Sequence, residues 1–322
     1  MHAIQVGEHG GPEVLRWVEL PDPEPGPGQL LVDLAAAGLN FIDTYMRSGL
    51  YPRPVPFVLG NEGAGTVTAV GPDVTGFAVD DRVAWTGVIG SYATKVLVPV
   101  AQALAVPAGV DLDVACAATL QGMTAHFLVT DCFPLQPSHK CLIQAGAGGV
   151  GLLAIQMAKM RGAEVFTTVG SADKVDLAKG AGADHVILYR DEDFGEAVER
   201  IAGPRPLHVI YDGVGQQTFE RGLQVLRPRG TMVTFGNASG PVEPMAPLRL
   251  MQGGSLFLTR PTLGDYTRTR PELEARANDV FGWIAAGKLG VRVGARIPLA
   301  EAADAHRMLE GRGTTGKVLL IP

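Results

Sequence analysis

The sequence has few cysteines, and they do not form a recognisable motif. Cys116, Cys132 and Cys141 are an odd number and include no C-x-x-C pair. We therefore expect neither a disulfide framework nor a cysteine-rich zinc site. Three free thiols are compatible with a reducing cytoplasm, which is the compartment we predict.

Basic clusters and long lipid-compatible runs are also missing. The formal net charge is −6, and no cluster of five or more Lys and Arg residues occurs, so nucleic-acid binding is not expected. The first six residues do not combine a basic segment with an apolar one, and the most apolar stretch, residues 141–158, is interrupted by glycines and two glutamines. We expect no signal peptide and no membrane span.

Length and composition indicate a folded chain with more than one core. With 322 residues the chain exceeds one ordinary domain, and 46% hydrophobic against 19% charged residues is globular composition. The first 120 or so residues are rich in Gly and Pro and contain short β-type runs at 30–35, 65–70 and 92–98. This pattern predicts an irregular, mostly β domain.

From about residue 123 short apolar strands alternate with amphipathic helices, which indicates parallel βαβ units with helices on both faces of a sheet. The predicted strands are 140–145, 164–169, 185–188, 207–212, 230–235 and 255–259. Six such strands make a complete dinucleotide-binding fold. Helices at 271–286 and 300–310 and a strand at 317–321 exceed that count, so we assign them to the first domain.

The strongest local signal is the G-x-G-x-x-G motif at 146–151, which follows an apolar strand and opens a helix. Gly146 suits the tight turn, and Gly148, Gly149 and Val150 are the predicted phosphate contacts, because backbone without Cβ lets pyrophosphate approach the amides of the helix N-terminus. The alternative is a glycine-rich turn without a ligand.

The end of the second strand in this fold favours NADPH over NADH. An NAD-preferring fold usually has a carboxylate there, whereas this chain has Gly170 and Ser171, followed by Lys174. Tyr189, at the end of the third strand, is a second candidate for the adenosine end of the cofactor. We expect the neighbouring Asp173 to cap the next helix; taken alone, Lys174 could equally be a solvated helix residue.

Six separated motifs carry a resemblance to a known family. Residues 38–45, 47–52, 60–65, 146–151, 235–237 and 258–261 together resemble the quinone oxidoreductase (zeta-crystallin-like) family of the medium-chain dehydrogenase/reductases. The resemblance implies an α/β chain with a GroES-like, mostly β catalytic domain from residues 1–122 and 268–322. It also implies a Rossmann domain, a doubly wound parallel sheet that binds NADPH, at residues 123–267.

The resemblance also implies roles for individual residues. It places Asn40, Tyr45 and Thr124 near the nicotinamide end, Lys317 in a tail position that reaches towards the cofactor, and Ser171, Lys174 and Tyr189 around the 2′-phosphate. The remaining residues expected at the cofactor are Val214, Phe235, Gly236, Asn237, Leu258 and Arg260. For Tyr45 and Phe235, packing is the alternative interpretation.

Zinc is not expected. In the alcohol dehydrogenases of the superfamily a Cys near position 40, a His in a G-H-E motif and a second Cys hold the metal. Here Asn40 and Asn61 occupy the first two positions, and Leu120, Gln121 and Gly122 offer no Cys. We interpret Glu62, which has no evident partner in the sequence, as structural.

The predicted function is zinc-independent transfer of hydride or electrons from NADPH to a quinone, held between Asn40, Tyr45 and Tyr51 on one wall and the nicotinamide on the other. No residue is assigned as acid or base. Reduction of an enone or enal is one alternative, and an NADPH-binding crystallin-like or RNA-binding role is another. The family resemblance and the edge strand at 255–259 predict a homodimer.

Overall fold

The computed structural model describes residues 1–322 and divides into two compact units, Met1–Met123 with Thr267–Pro322, and Thr124–Tyr266. The strands of the first unit are β1 (His2–Val6), β2 (Leu15–Glu19), β3 (Gln29–Leu39), β4 (Phe57–Val58), β5 (Glu62–Val70), β6 (Arg82–Thr86), β7 (Lys95–Pro99), β8 (Leu104–Ala105), β15 (Val293–Pro298) and β16 (Lys317–Ile321). Those of the second unit are β9 (Lys140–Ile143), β10 (Glu164–Val169), β11 (His185–Leu188), β12 (Leu207–Asp212), β13 (Leu226–Thr234) and β14 (Phe257–Thr259).

Nine α-helices accompany these strands. They are α1 (Phe41–Ser48), α2 (Leu112–Phe127), α3 (Gly149–Met160), α4 (Asp173–Gly180), α5 (Phe194–Ala202), α6 (Phe219–Val225), α7 (Leu248–Gln252), α8 (Arg270–Ala285) and α9 (Ala302–Glu310). The combination of a mostly β unit with an α/β unit confirms the predicted fold class.

The first unit contains a three-stranded sheet, β2-β1-β4, and a seven-stranded sheet with the order β15-β16-β3-β5-β6-β8, in which β7 also pairs with β3. The C-terminal strand β16 pairs antiparallel with the end of β3, Val318 opposite Leu39 and Leu319 opposite Gly38. Four of its five residues are buried, so the apolar tail is a central strand. This pairing brings residue 317 next to the turn that begins at residue 40.

The second unit is built on one parallel sheet with the strand order β11-β10-β9-β12-β13-β14. The order reverses direction at β9, and ligands of such folds bind outside the carboxyl ends of the strands near this point. β13 begins at Leu226, four residues before the predicted strand, because residues 227–230 form a bulge: Leu207 pairs with Leu226 and Val209 with Thr231.

One helical segment, Leu112–Cys132, is long and apolar enough by length and composition to suit a membrane span. It comprises α2 and a following π-helical turn, and 72% of its apolar window is buried inside the protein. Burial on this scale is typical of a core helix, since residues such as Met123 and Phe127 pack against protein.

Candidate active site

The turn between β3 and α1 presents Asn40, the residue that stands in place of a zinc-ligating cysteine. Asn40 is the N-cap of α1, and its backbone N–H donates to the Asp43 carboxylate at 2.8 Å. A carboxylate at the third helical position that accepts this N–H stabilises the start of the helix. The geometry fixes the backbone from which the Asn40 side chain projects.

The Asn40 side chain is part of a buried ion-pair cluster with Glu62 and Lys317. Asn40 Nδ2 donates to Glu62 Oε2 at 2.8 Å, and Lys317 Nζ donates to Asn40 Oδ1 at 2.8 Å. The Lys317 ammonium also pairs directly with Glu62 Oε2, and the two side chains are 1% and 0% exposed. The expectation that Glu62 has no partner is therefore wrong.

Gly38 makes room for this pair on the adjacent strand. A Cβ at Gly38 would lie 2.1 Å from Glu62 Oε2 and 2.7 Å from Lys317 Cε. These distances are far below van der Waals contact, so a larger residue would force the two charged groups apart. Gly38, which lies in β3 beyond the predicted strand 30–35, thus has a packing role.

The cluster does not fit a zinc ion. The side chains nearest to Asn40 are an ammonium, an amide and one carboxylate, and Asn61 offers only an amide, whereas zinc sites use thiolates, imidazoles and carboxylates. Burial, together with the nearby Glu62 charge, raises the pKa of the Cys116 thiol well above its usual value. No group of three or more His, Cys, Asp or Glu side chains that could hold a metal occurs in residues 1–322.

Aromatic side chains of α1 and the following loop form a second part of this unit's candidate site. The Tyr45 and Tyr51 rings meet edge to face with centroids 5.3 Å apart, and the Phe41 and Tyr45 centroids are 6.3 Å apart. The Tyr51 backbone N–H donates to the Tyr45 carbonyl at 3.0 Å. The structure thus brings together two of the predicted substrate residues as an edge-to-face pair of rings.

The end of α1 is anchored by a buried polar network that the sequence did not reveal. Arg47 forms two hydrogen bonds to the Glu310 carboxylate, at 2.7 and 3.1 Å, and its Nη1 lies 2.9 Å from His306 Nδ1. Because the guanidinium can only donate, His306 Nδ1 accepts and the imidazole is neutral. Burial, with the nearby Arg47 charge, lowers the pKa of His306 to about 3.

This pKa predicts an acid-sensitive fold. The unfolded chain takes up a proton on His306 near pH 6.5 whereas the folded chain does not, so the stability contribution is complete above pH 6.5 and is lost towards pH 3. We expect His306→Asn to reduce the loss of unfolding free energy between pH 7 and pH 4 by about 2–3 kcal/mol. Urea denaturation of both proteins at several pH values is the measurement. If the unfolding free energies of the two proteins change with pH in parallel, the prediction is contradicted.

The pH dependence of stability that comes from Asp43 is opposite in sign to that from His306. The effect of His306 is therefore measured as the difference in unfolding free energy between wild type and the His306→Asn variant. Asp43 is fully buried, accepts a hydrogen bond from the Tyr92 hydroxyl at 2.9 Å, and burial raises its pKa to about 7. The folded state therefore holds a proton that the unfolded state loses above pH 3.8, and this group's contribution falls as the pH rises to 7.

In the second unit the glycine loop has the geometry of a phosphate cradle. Gly148 is the N-cap of α3, and the first amides of a helix have no intrahelical acceptor. A Cβ at Gly146 would lie 2.0 Å from Thr167 Oγ1, and one at Gly151 would lie 2.4 Å from the Ala145 carbonyl. The motif's first and last glycines are thus required for the close turn, and the exposed amides fit a pyrophosphate.

The residue that follows β10, Gly170, has no room for an acidic side chain. A Cβ at Gly170 would lie 2.6 Å from the Tyr189 hydroxyl, so the Tyr189 side chain occupies the space that a carboxylate-bearing residue would need. The backbone N–H of Lys174 donates to the Ser171 carbonyl at 3.1 Å, which places the lysine in the first turn after the open loop. These three residues and Ser171 lie together, as a 2′-phosphate pocket requires.

Asp173 departs from its expected role. The N-cap of α4 is Ala172, and Asp173 is the first residue of the helix. The Asp173 carboxylate accepts a hydrogen bond from the Ser171 hydroxyl, which lowers the pKa of Asp173. The Ser171 hydroxyl is therefore oriented by a neighbour.

The loops after β12 and β13 hold the remaining predicted residues close together. The Ser239 N–H donates to the Val214 carbonyl at 2.8 Å, and a Cβ at Gly213 would lie 3.0 Å from the Phe235 ring. Arg260 Nη1 donates to the carbonyls of Thr234 at 2.8 Å and Gly236 at 3.1 Å. Arg260 thus fixes the loop that carries Phe235, Gly236 and Asn237.

The predicted site residues consequently fall into two groups. Asn40, Tyr45, Tyr51 and Lys317 belong to the first unit, and all the others belong to the second. Within the second unit Thr124 lies on α2, Leu258 lies on β14 and Arg260 directly follows β14, while the rest follow the carboxyl ends of β9, β10, β11, β12 and β13. Whether each residue contacts a ligand stays a prediction.

Comparison with known protein families covers most of the chain. Residues 26–108 match the alcohol dehydrogenase GroES-like domain, and residues 149–277 match the zinc-binding dehydrogenase family. The mostly β first unit is thus GroES-like. The zinc in the second family's description has no counterpart in the residues around Asn40.

Full-length relatives are similar over nearly every residue. The chain is 44% identical over 321 residues to a quinone oxidoreductase of Pseudomonas aeruginosa, with 99% of each chain covered. The solved structure of Escherichia coli quinone oxidoreductase complexed with NADPH is 43% identical, with a TM-score of 0.98 over 100% of both chains. A mycobacterial structure complexed with NADPH is 47% identical, with a TM-score of 0.97 and the same coverage.

Proposed function

The chain belongs to the quinone oxidoreductases of the medium-chain dehydrogenase/reductases, and on that premise we propose that it reduces a quinone with NADPH and without zinc. The observation that carries the proposal is that a buried Lys317 ammonium lies beside Asn40, where the zinc enzymes of the superfamily hold their metal. The second unit adds a glycine loop with the geometry of a phosphate-binding turn. This combination leaves reduction of an acceptor that needs no Lewis acid.

NADPH, when bound, supplies the reducing equivalents. Gly149 and Val150 would hold its pyrophosphate through backbone amides, and Gly148, whose own N–H donates to the Ala145 carbonyl at 3.0 Å, would allow the phosphate to approach closely. Ser171, Lys174 and Tyr189 would hold its 2′-phosphate. The loop carrying Phe235–Asn237, fixed by Arg260, would position the nicotinamide half, with Val214, Leu258 and Thr124 as further contacts. We assign the quinone ring to Tyr45 and Tyr51 of the first unit.

The substrate assignment is tested at Tyr51. We expect Tyr51→Ala to lower kcat/KM for 1,4-naphthoquinone by about tenfold, because it removes one of two rings that present an apolar edge to the substrate, while the NADPH dissociation constant stays within twofold. Steady-state kinetics with a panel of quinones and enones is the measurement. Trp17→Ala, which removes an exposed ring from β2, is the matched control.

Two outcomes would count against this assignment. Equal losses in quinone turnover and in NADPH affinity would indicate that Tyr51 contacts the cofactor and not the quinone. Wild-type turnover of enones that is much faster than that of every quinone in the panel would replace the quinone by an activated alkene as the substrate.

We propose a homodimer formed through β14. This strand is the edge of the parallel sheet, and its Phe257 is 61% exposed. Leu248 and Met251 of the adjoining α7 are also exposed, so apolar side chains accompany the unpaired strand edge. Pairing with a second copy would cover both features.

The mass in solution tests the dimer. Light scattering of the wild type at micromolar concentration should give about twice the chain mass, and Phe257→Glu should shift the mass towards the monomer. Ile201→Glu, at another exposed apolar residue of the second unit, is the control. A monomer mass for the wild type would reject the proposal.

The proposed location is the cytoplasm, without a nucleic-acid or membrane partner. In support, all three cysteines are free thiols and two of them, Cys116 and Cys141, are buried. The acidic balance of −6 is likewise unfavourable for contact with a phosphate backbone.

A further inference from the structure

The buried ion-pair cluster has a fixed hydrogen-bond polarity that determines how the Asn40 amide is turned. The Lys317 ammonium can only donate, so the oxygen of the Asn40 amide faces it, at 2.8 Å. The Glu62 carboxylate accepts, so the Asn40 nitrogen faces it, also at 2.8 Å. Two opposite charges therefore hold one amide in a single orientation.

Asn40 has no hydrogen-bonding capacity left for a ligand. Its oxygen accepts from Lys317 and, at 3.3 Å, from Gln121 Nε2, which uses both lone pairs. Its nitrogen donates to Glu62 and, at 3.1 Å, to the Gly38 carbonyl, which uses both hydrogens. The Asn40 side chain is therefore a brace within the protein.

Gln121 is the member of this network whose side chain can still form hydrogen bonds with a ligand. Its Nε2 donates one hydrogen to Asn40 Oδ1 at 3.3 Å. Gln121 Oε1 is buried and has no hydrogen-bond partner. A buried acceptor without a hydrogen-bond partner is unfavourable, so a group that can donate to it is expected to bind there.

We infer that Gln121 binds the oxygen of the substrate. Its second N–H would donate to the carbonyl oxygen of a quinone, and Oε1 would accept from the hydroxyl group of a hydroquinone. A primary amide suits this task because it offers both a donor and an acceptor, and reduction converts an acceptor oxygen into a donor hydroxyl. The inference rests on the proposed function and adds a polar contact to the ring contacts assigned to Tyr45 and Tyr51.

The brace explains why Gln121 is held in place. Since Lys317 and Glu62 neutralise each other, the cluster contributes orientation and not net charge. The charges fix Asn40, and the Asn40 oxygen in turn fixes the Gln121 amide, whose Oε1 is left without a partner. Orientation of this kind lowers the entropy lost on binding.

The test is Gln121→Met, which keeps the side-chain length and removes both polar atoms. We expect kcat/KM for 1,4-naphthoquinone to fall by about five- to tenfold, the value of one neutral hydrogen bond. Calorimetry with a hydroquinone on protein saturated with NADP⁺ should show a similar loss of affinity. The NADPH dissociation constant should stay within twofold, and Gln136→Met, at an exposed glutamine, should resemble wild type.

The possible outcomes separate this inference from the proposed function. Wild type that reduces no quinone would overturn the function itself. Active wild type with a Gln121→Met variant of unchanged quinone kinetics and unchanged hydroquinone affinity would overturn the inference alone. An equal loss of NADPH affinity would also overturn it, because Gln121 would then contact the cofactor. The thermal midpoint of the variant distinguishes these results from misfolding.

Discussion

Replacing Lys317 with Met is expected to lower the free energy of unfolding by about 3–5 kcal/mol. The change leaves the Glu62 carboxylate fully buried, with only the Asn40 amide and the Leu120 backbone N–H as partners. A buried charge without a counter-charge is among the most unfavourable features in a protein core. The variant should also loosen Asn40, whose oxygen loses its charged donor.

The double variant Lys317→Met with Glu62→Gln is the control. It removes both charges at similar volume, and we expect its stability to return to within about 1 kcal/mol of wild type, because an ion pair can often be replaced by neutral groups without loss. Urea unfolding of the three proteins gives the comparison. A single variant within 1 kcal/mol of wild type would show that the pair is not a structural unit.

Replacing Lys174 with Ala is expected to weaken NADPH binding by about 10- to 100-fold and to leave NADH binding nearly unchanged. A hydrogen bond to a charged group contributes about 1.5–3 kcal/mol net, and the 2′-phosphate is present only in NADPH. Tyr189 excludes a larger residue at Gly170, and the Ser171 hydroxyl donates to the Asp173 carboxylate, so the groups that this loop offers the phosphate are the Lys174 cation and the Tyr189 hydroxyl.

Lys179 provides the matched control, since it lies in the last turn of the same helix and is exposed. Lys179→Ala should alter neither dissociation constant by more than twofold. Titration of both cofactors by fluorescence is the measurement. Equal affinities of wild type for NADPH and NADH, or equal losses in Lys174→Ala, would mean that this loop does not read the 2′-phosphate.

Much of the fold follows from local sequence. The strands Glu164–Val169, His185–Leu188, Leu207–Asp212 and Lys317–Ile321 begin and end where the apolar pattern predicts, because short buried strands bounded by turn residues leave little ambiguity. The glycine loop could also be predicted from the sequence, since a motif placed between a strand and a helix specifies its own backbone geometry. In contrast, the strand predicted at 230–235 begins at Leu226, because the pattern did not reveal the bulge that precedes Thr231.

The polar clusters could not be predicted in the same way. Glu62 and Lys317 are separated by 255 residues, and Arg47 and Glu310 by 263, so only the fold reveals that they meet. A signal was nevertheless present: Lys317 opens an apolar strand, and Glu62 lies among glycines and alanine, both places where an unpaired charge is unfavourable. Such positions indicate a buried pair without identifying the partner.

The central claim, NADPH-dependent quinone reduction without zinc, is tested most directly by following NADPH oxidation with 1,4-naphthoquinone on protein treated with a chelator. The account predicts turnover that survives chelation and a kcat/KM with NADPH at least about tenfold above that with NADH. Absence of turnover with any quinone, or activity that is lost on chelation and restored by zinc, would contradict it.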